Sequence, residues 1–158
     1  MTTARAIACG TLVVGVLDAL DALVFFGLRG VPPIRIFQSI AAGLLGREAF
    51  QGGTATAVLG ACLHFFIAFA IVTIYVAASR RARVLADRPV IFGLVYGVAV
   101  YVVMTTIVVP LSAAGGGAPP SLPVMVNGLL IHALGVGLPS ALFARAAAPD
   151  ESLWARRF

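Results

Sequence analysis

No Asp, Glu, Lys or Arg falls between Ala49 and Ser79, and the run then ends in Arg80, Arg81 and Arg83. An α-helix rises about 1.5 Å per residue, so about 20 apolar residues cross the hydrocarbon core of a bilayer. This stretch therefore reads as a transmembrane helix. Its one side chain that titrates near neutrality is His64, and an ionisable group at membrane depth marks a functional site by default.

The rest of the chain agrees. Charged residues make up 11% and hydrophobic ones 61%, with a mean hydropathy of +1.05. A soluble domain carries about 25% charge. The 158 residues have room for one set of spans and no separate soluble domain. The net charge of +5 does not imply nucleic acid, because the arginines sit at span ends and in loops, with no basic stripe carrying interleaved aromatics. The expected partner is the lipid bilayer. Cys9 and Cys62 are too widely spaced for a CxxC pair or a disulfide framework and read as small apolar fillers.

The expected fold is all-α: an integral membrane four-helix bundle with a short amphipathic interfacial helix between spans 1 and 2. Span 1 covers about 6–28. Asp18 and Asp21 interrupt its apolar run and no small-residue cleavage site follows, so it reads as a retained span and not a signal peptide. The two carboxylates, three apart, share a helical face. Each costs about 2.5–3.5 kcal/mol at a span centre, so that face looks into the bundle. Pro32 and Pro33 stop span 1 and open a helix over about 33–50. There Ile36, Phe37, Ile40, Ala41, Leu44 and Leu45 recur at helical spacing. It is too short and too polar to span, and a re-entrant hairpin is the lesser alternative. Spans 2, 3 and 4 cover about 54–79, 90–109 and 124–144. Trp154 is placed as an interface anchor, as is Tyr75 near the end of span 2.

Arginines crowd the loop between spans 2 and 3 and are absent between spans 3 and 4. That bias puts both termini in the cytoplasm. Arg29, Arg35 and Arg47 then lie outside, where the interfacial helix can set them among lipid headgroups. With this topology His64, His132 and Asp18 all fall about 15 Å below the outer surface. The expected buried polar site is Asp18, His64 and His132, with Asp21, Asn127 and Tyr101 as secondary members. Gly60 precedes His64 by one turn, and Gly128 precedes His132 likewise. Such glycines let another helix or a flat ligand approach the backbone, and the shared pattern suggests a parallel repeat of spans 1–2 in spans 3–4.

Three chemistries suit this layer. Facing histidines can be axial ligands to haem b. Two histidines with Asp18 can bind a transition metal. The same groups can relay a proton, since His titrates near neutrality. Beside these stands polar glue, in which Asp–His bonds lock the helices together. Thr105 and Thr106 are expected to bond their own helix backbone, and Phe65, Phe66 and Phe69 to face lipid or core. No Walker loop, HExxH, GxSxG or nucleophile triad occurs, so the expected role is non-enzymatic: structural, or binding or passing a proton, ion or small solute. A redox protein holding haem or metal through His64 and His132 is the alternative. Small-residue stripes allow a homo-oligomer or a larger membrane complex.

From about Thr11 to Arg145 the chain resembles the YagU-like family of four-span bacterial inner-membrane proteins. The resemblance rests on Asp18, the segment IFQSIAAGLLGREAFQGG, the span 2 pattern LGACLHFFIAFAIVTIYV, then PVIFGLVYG, VVPLSAAG and the span 4 histidine. It implies a bacterial inner membrane and carries no settled reaction.

Overall fold

In the computed structural model, which describes residues 1–117 and 119–148, four helices are long and apolar enough to cross a membrane. They are α1 (Thr3–Gly27), α3 (Gly53–Arg81), α5 (Pro89–Leu111) and α6 (Leu122–Ala147). Two shorter helices join them, α2 (Pro33–Leu45) and α4 (Val84–Asp87), and no strand occurs among the described residues. Trp154, Asp150, Glu151, Arg156 and Arg157 lie outside the described residues, and with them the expected tryptophan anchor.

Each long helix outruns its apolar core by a few residues, because backbone hydrogen bonding continues after the hydrophobic run ends and Arg propagates a helix well. Thr2 caps α1, its hydroxyl accepting from the Arg5 N–H at 3.3 Å. The chain leaves α2 through Gly46 and enters α3 through Gly53, at φ 60° and 57°, a left-handed conformation that a side chain resists.

The packing is small inside and large outside. Val14, Ala68, Val72, Val136, Ala141 and Ala144 are among the residues that form the main buried cluster. Leu12, Val24, Val95 and Phe66 stand 60–65% exposed. Only 11–28% of each apolar stretch is buried. A surface this apolar has to be covered by something other than water, and small residues at helix contacts are how spans approach in lipid. The clearest example is α5 on α6. A Cβ on Gly97 would stand 2.6 Å from the His132 carbonyl carbon and 2.7 Å from the Ala133 Cα, and one on Gly137 would stand 2.6 Å from the Gly97 Cα. The glycine stripes are thus taken up by contacts within one chain.

α2 packs along the first half of α3, burying Ile36, Gln38, Ala41 and Ala42. Gln38 Nε2 donates to the Gly53 carbonyl (2.9 Å) and to Thr56 Oγ1 (3.3 Å). The loop after α5 ties onto α2 through Ala113 N–H and the Gly43 carbonyl, 2.9 Å.

Two expectations need correction. Tyr75 is not an interface aromatic: it is 2% exposed. Its hydroxyl donates to the Leu85 carbonyl (3.0 Å) and its ring meets Tyr96 edge-on at 4.9 Å. The chain turns back at α4, which brings that carbonyl to the hydroxyl. Cys9 and Cys62 are exposed, not packing fillers. The amino group of Met1 donates to the Ala146 carbonyl (3.0 Å), so the start of α1 and the end of α6 lie at the same end of the molecule.

Candidate functional site

Gly15 and Asp18, one turn apart on α1, receive the same side chain from α3. His64 Nε2 lies 2.8 Å from the Gly15 carbonyl oxygen. A carbonyl only accepts, so Nε2 carries the proton and donates it. The contact depends on residue 15 being glycine, since a Cβ there would strike the Phe65 ring beside His64. With Nε2 engaged, only Nδ1 faces Asp18, and it lies 3.9 Å from Asp18 Oδ2. That separation lets charges attract but is too long for a direct hydrogen bond. Placing a proton on Nδ1 makes an imidazolium–carboxylate pair, and placing it on Asp18 makes a neutral one. The His64 side chain is 11% exposed and that of Asp18 28%.

His132 behaves differently. Its Nδ1–H donates to the Gly128 carbonyl of its own helix at 2.9 Å, and its ring lies 5.4 Å from that of Tyr101, edge to face. Nε2 is left as a bare acceptor. Asp21 is taken by Asn127, whose Nδ2 donates to Asp21 Oδ2 at 2.7 Å.

These residues share space. A cavity of about 230 Å³ is lined by Asp18, His64, Tyr101 and His132, with Ile40 of α2 also in its wall. A second cavity, about 270 Å³, is lined by Asp18, Asp21, Tyr101, Asn127 and His132. The imidazoles of His64 and His132 and the Asp18 carboxylate thus open on one cavity without meeting at one atom. Each histidine is tied to a backbone carbonyl, and only Asp18 and His64 form a pair.

Several contributors were not read from the sequence as part of the site. Thr105 lines both cavities, although its hydroxyl donates to the Tyr101 carbonyl (2.8 Å), as expected, just as Thr106 donates to Val102 (2.7 Å). Two of the helices bordering the cavity carry a π-helical turn there, Met104–Val108 in α5 and His132–Gly137 in α6. Such turns are frequent at functional sites. The signal was present: Pro110 and Pro139 stand just past the two turns, and a proline inside a helix removes a hydrogen bond and crowds the preceding turn. Gly93 and Gly97 form a G-x-x-x-G pair in α5, the sequence mark of the α5–α6 contact.

The arrangement fits neither cofactor reading. The space beside Gly60 is filled by the α2 backbone at Phe37 and Ala41, and that beside Gly128 by the Tyr101 ring. A flat macrocycle finds no opening there. Sites for drug-sized ligands occupy about 300–1,000 Å³, and a porphyrin does not fit a cavity of about 230 Å³. No three His, Cys, Asp or Glu side chains among the described residues are grouped to hold a metal ion.

Comparison with known proteins adds no further constraint: no protein-family model, curated protein or solved structure matches this chain. The geometry is the basis for any functional reading.

Proposed function

We propose that this chain is a non-enzymatic, multi-pass protein of the bacterial inner membrane, a four-helix bundle with both termini cytoplasmic and related to the YagU-like family. Its polar layer takes up and releases a proton within the membrane. The observation that carries this reading is the Asp18–His64 pair. The Gly15 carbonyl fixes the protonated nitrogen of His64, which leaves Nδ1 and the Asp18 carboxylate, 3.9 Å apart, to exchange a proton through a water in the adjoining cavity. Four apolar helices with large residues outward support the membrane setting. The crowding of Arg80, Arg81, Arg83 and Arg88 between α3 and α5 supports the orientation.

Proton flux into liposomes holding a pH-sensitive dye tests the reading. Wild-type protein should carry flux above protein-free vesicles, and Asp18→Asn should lower it at least tenfold while keeping the helical circular-dichroism spectrum. Infrared spectra across a pH titration should show a carboxylic-acid band that disappears in Asp18→Asn. Wild-type flux equal to that of empty vesicles, or flux untouched by Asp18→Asn, overturns the proposal and leaves the pair as structural glue.

A further inference from the structure

Away from the Asp18–His64 pair, where α1 begins and α3 and α6 finish, lies a separate cavity of about 210 Å³. Arg80 in its wall is about 24 Å along α3 from His64. Polar atoms reach the cavity from Thr3, Ser79, Arg80 and Arg83, while Val76 and Ala144 bring apolar surface from the main buried cluster. Among the described residues no carboxylate lines it.

Arg80 is the group held in place. Its Nη1 donates to Thr3 Oγ1 at 2.7 Å, which ties the end of α3 to the start of α1. A guanidinium carries five N–H donors in a fixed fork, so the bond to Thr3 leaves others for a ligand. Thr3 Oγ1 accepts in that bond and keeps its own proton to donate. Arg83 adds a second guanidinium. Asp87 lies 3.7 Å from its Nε, but the two side chains are 47% and 59% exposed, and such a pair is weak. The Met1 ammonium brings a third positive charge to this end of the molecule. It covers the Ala146 carbonyl at 3.0 Å, one of the last in α6, whose negative pole would otherwise oppose an anion.

Forked N–H donors and a hydroxyl around a small void match the oxygens of a phosphate. Arg80 follows directly on the uncharged stretch that ends at Ser79. In a bilayer it therefore stands where the hydrocarbon core gives way to headgroups, and basic pockets between spans at that level take anionic heads. The apolar part of the wall suits the glycerol carbons next to a lipid phosphate, which a free phosphate ion lacks. A choline head is disfavoured by the three cations. We infer that this cavity holds the phosphate of an anionic phospholipid, with Arg80 as its main partner and Thr3 and Arg83 beside it. The inference rests on the membrane setting proposed above and not on the proton pair.

The test is native mass spectrometry of the full chain in an uncharged detergent, with dioleoyl phosphatidylglycerol, dioleoyl phosphatidylcholine or glycerol 3-phosphate added in turn. The wild type should retain one phosphatidylglycerol in clear preference to phosphatidylcholine. Arg80→Gln should weaken that retention about tenfold, the scale of one lost charge-assisted hydrogen bond. Arg80→Lys, which keeps the charge without the fork, should lose less. Ala147→Trp, which fills the cavity and keeps every charge, should also lower it, whereas Arg47→Gln, outside the cavity, should leave it unchanged. Should Arg80→Gln lose its helical circular-dichroism signal, the wild-type lipid series decides alone. Phosphatidylcholine held as tightly as phosphatidylglycerol, or retention untouched in a folded Arg80→Gln, overturns the inference. Glycerol 3-phosphate displacing the lipid at equal concentration overturns the assignment to a lipid. Proton flux measured on the same wild-type preparation separates the two proposals: lipid preference without flux removes only the proton reading, and flux without lipid preference removes only this one.

Discussion

Asp18 and Asp21 lie one turn apart on α1 yet serve different partners, His64 of α3 for the first and Asn127 of α6 for the second. Their common depth with the histidines follows from the fixed rise of a helix, so it could be read from residue numbers. Which imidazole each carboxylate meets could not, because that depends on rotation about each helix axis. Hydrogen bonds inside the membrane are individually modest, about 0.6 kcal/mol on average and about 1.7 at most. A double-mutant cycle on Asp21→Ala and Asn127→Ala should therefore return a coupling of about 0.6–1.7 kcal/mol in reversible unfolding from detergent. A coupling of zero would mean that the 2.7 Å contact contributes only alignment. At the other end of α1, Arg29 folds back on its own helix, its guanidinium 3.5 Å from the Phe25 ring centroid and bonded to the Phe25 carbonyl at 2.8 Å. Arg35 does the same with Phe50, bonding its carbonyl at 3.3 Å. Both cations are thereby held at helix ends and away from the apolar faces.

Among the elements, α5 and α6 set the cavity. Their backbones touch at Gly93, Gly97 and Gly137, and each opens into a π-helical turn beside the polar groups. Overpacking a well-filled contact costs about 1–3 kcal/mol, and here the obstacle is backbone, which relaxes least. Gly97→Leu should cost at least that much, read as earlier loss of helical signal in a denaturant titration, whereas Gly117→Ala in the loop, with nothing within 4 Å of an added Cβ, should be silent. On α3, Gly60→Leu should push α2 away, because the Phe37 carbonyl of α2 occupies that space. Faster proteolysis between Gly27 and Gly53 would report it, and unchanged cleavage would contradict the close α2–α3 packing. The amphipathic pattern of α2 was legible in the sequence. Its partner was not, since an apolar stripe of that length suits a membrane surface and a helix face equally well.

For the whole molecule, the amino group of Met1 meets the end of α6, so the start of α1 and the end of α6 share one end of the molecule, and under the proposed topology that end is cytoplasmic. With Cys9 and Cys62 replaced by serine, a cysteine at Ala113 should react with an impermeant maleimide added to intact cells. One at Arg83 should react only after permeabilisation, and the reverse pattern would invert the orientation. The sequence by itself determined four helices long and apolar enough to cross a membrane and the spacing of the polar residues along them, because hydropathy and helical rise are local properties. It also determined where the arginines gather. Only the tertiary structure decided that α2 lies against α3, that His64 reaches across to Gly15 and Asp18, and that His132 turns to Tyr101 and its own backbone. Those outcomes depend on the rotation and close approach of whole helices, set by glycines and π-helical turns acting together. No single span carries that information.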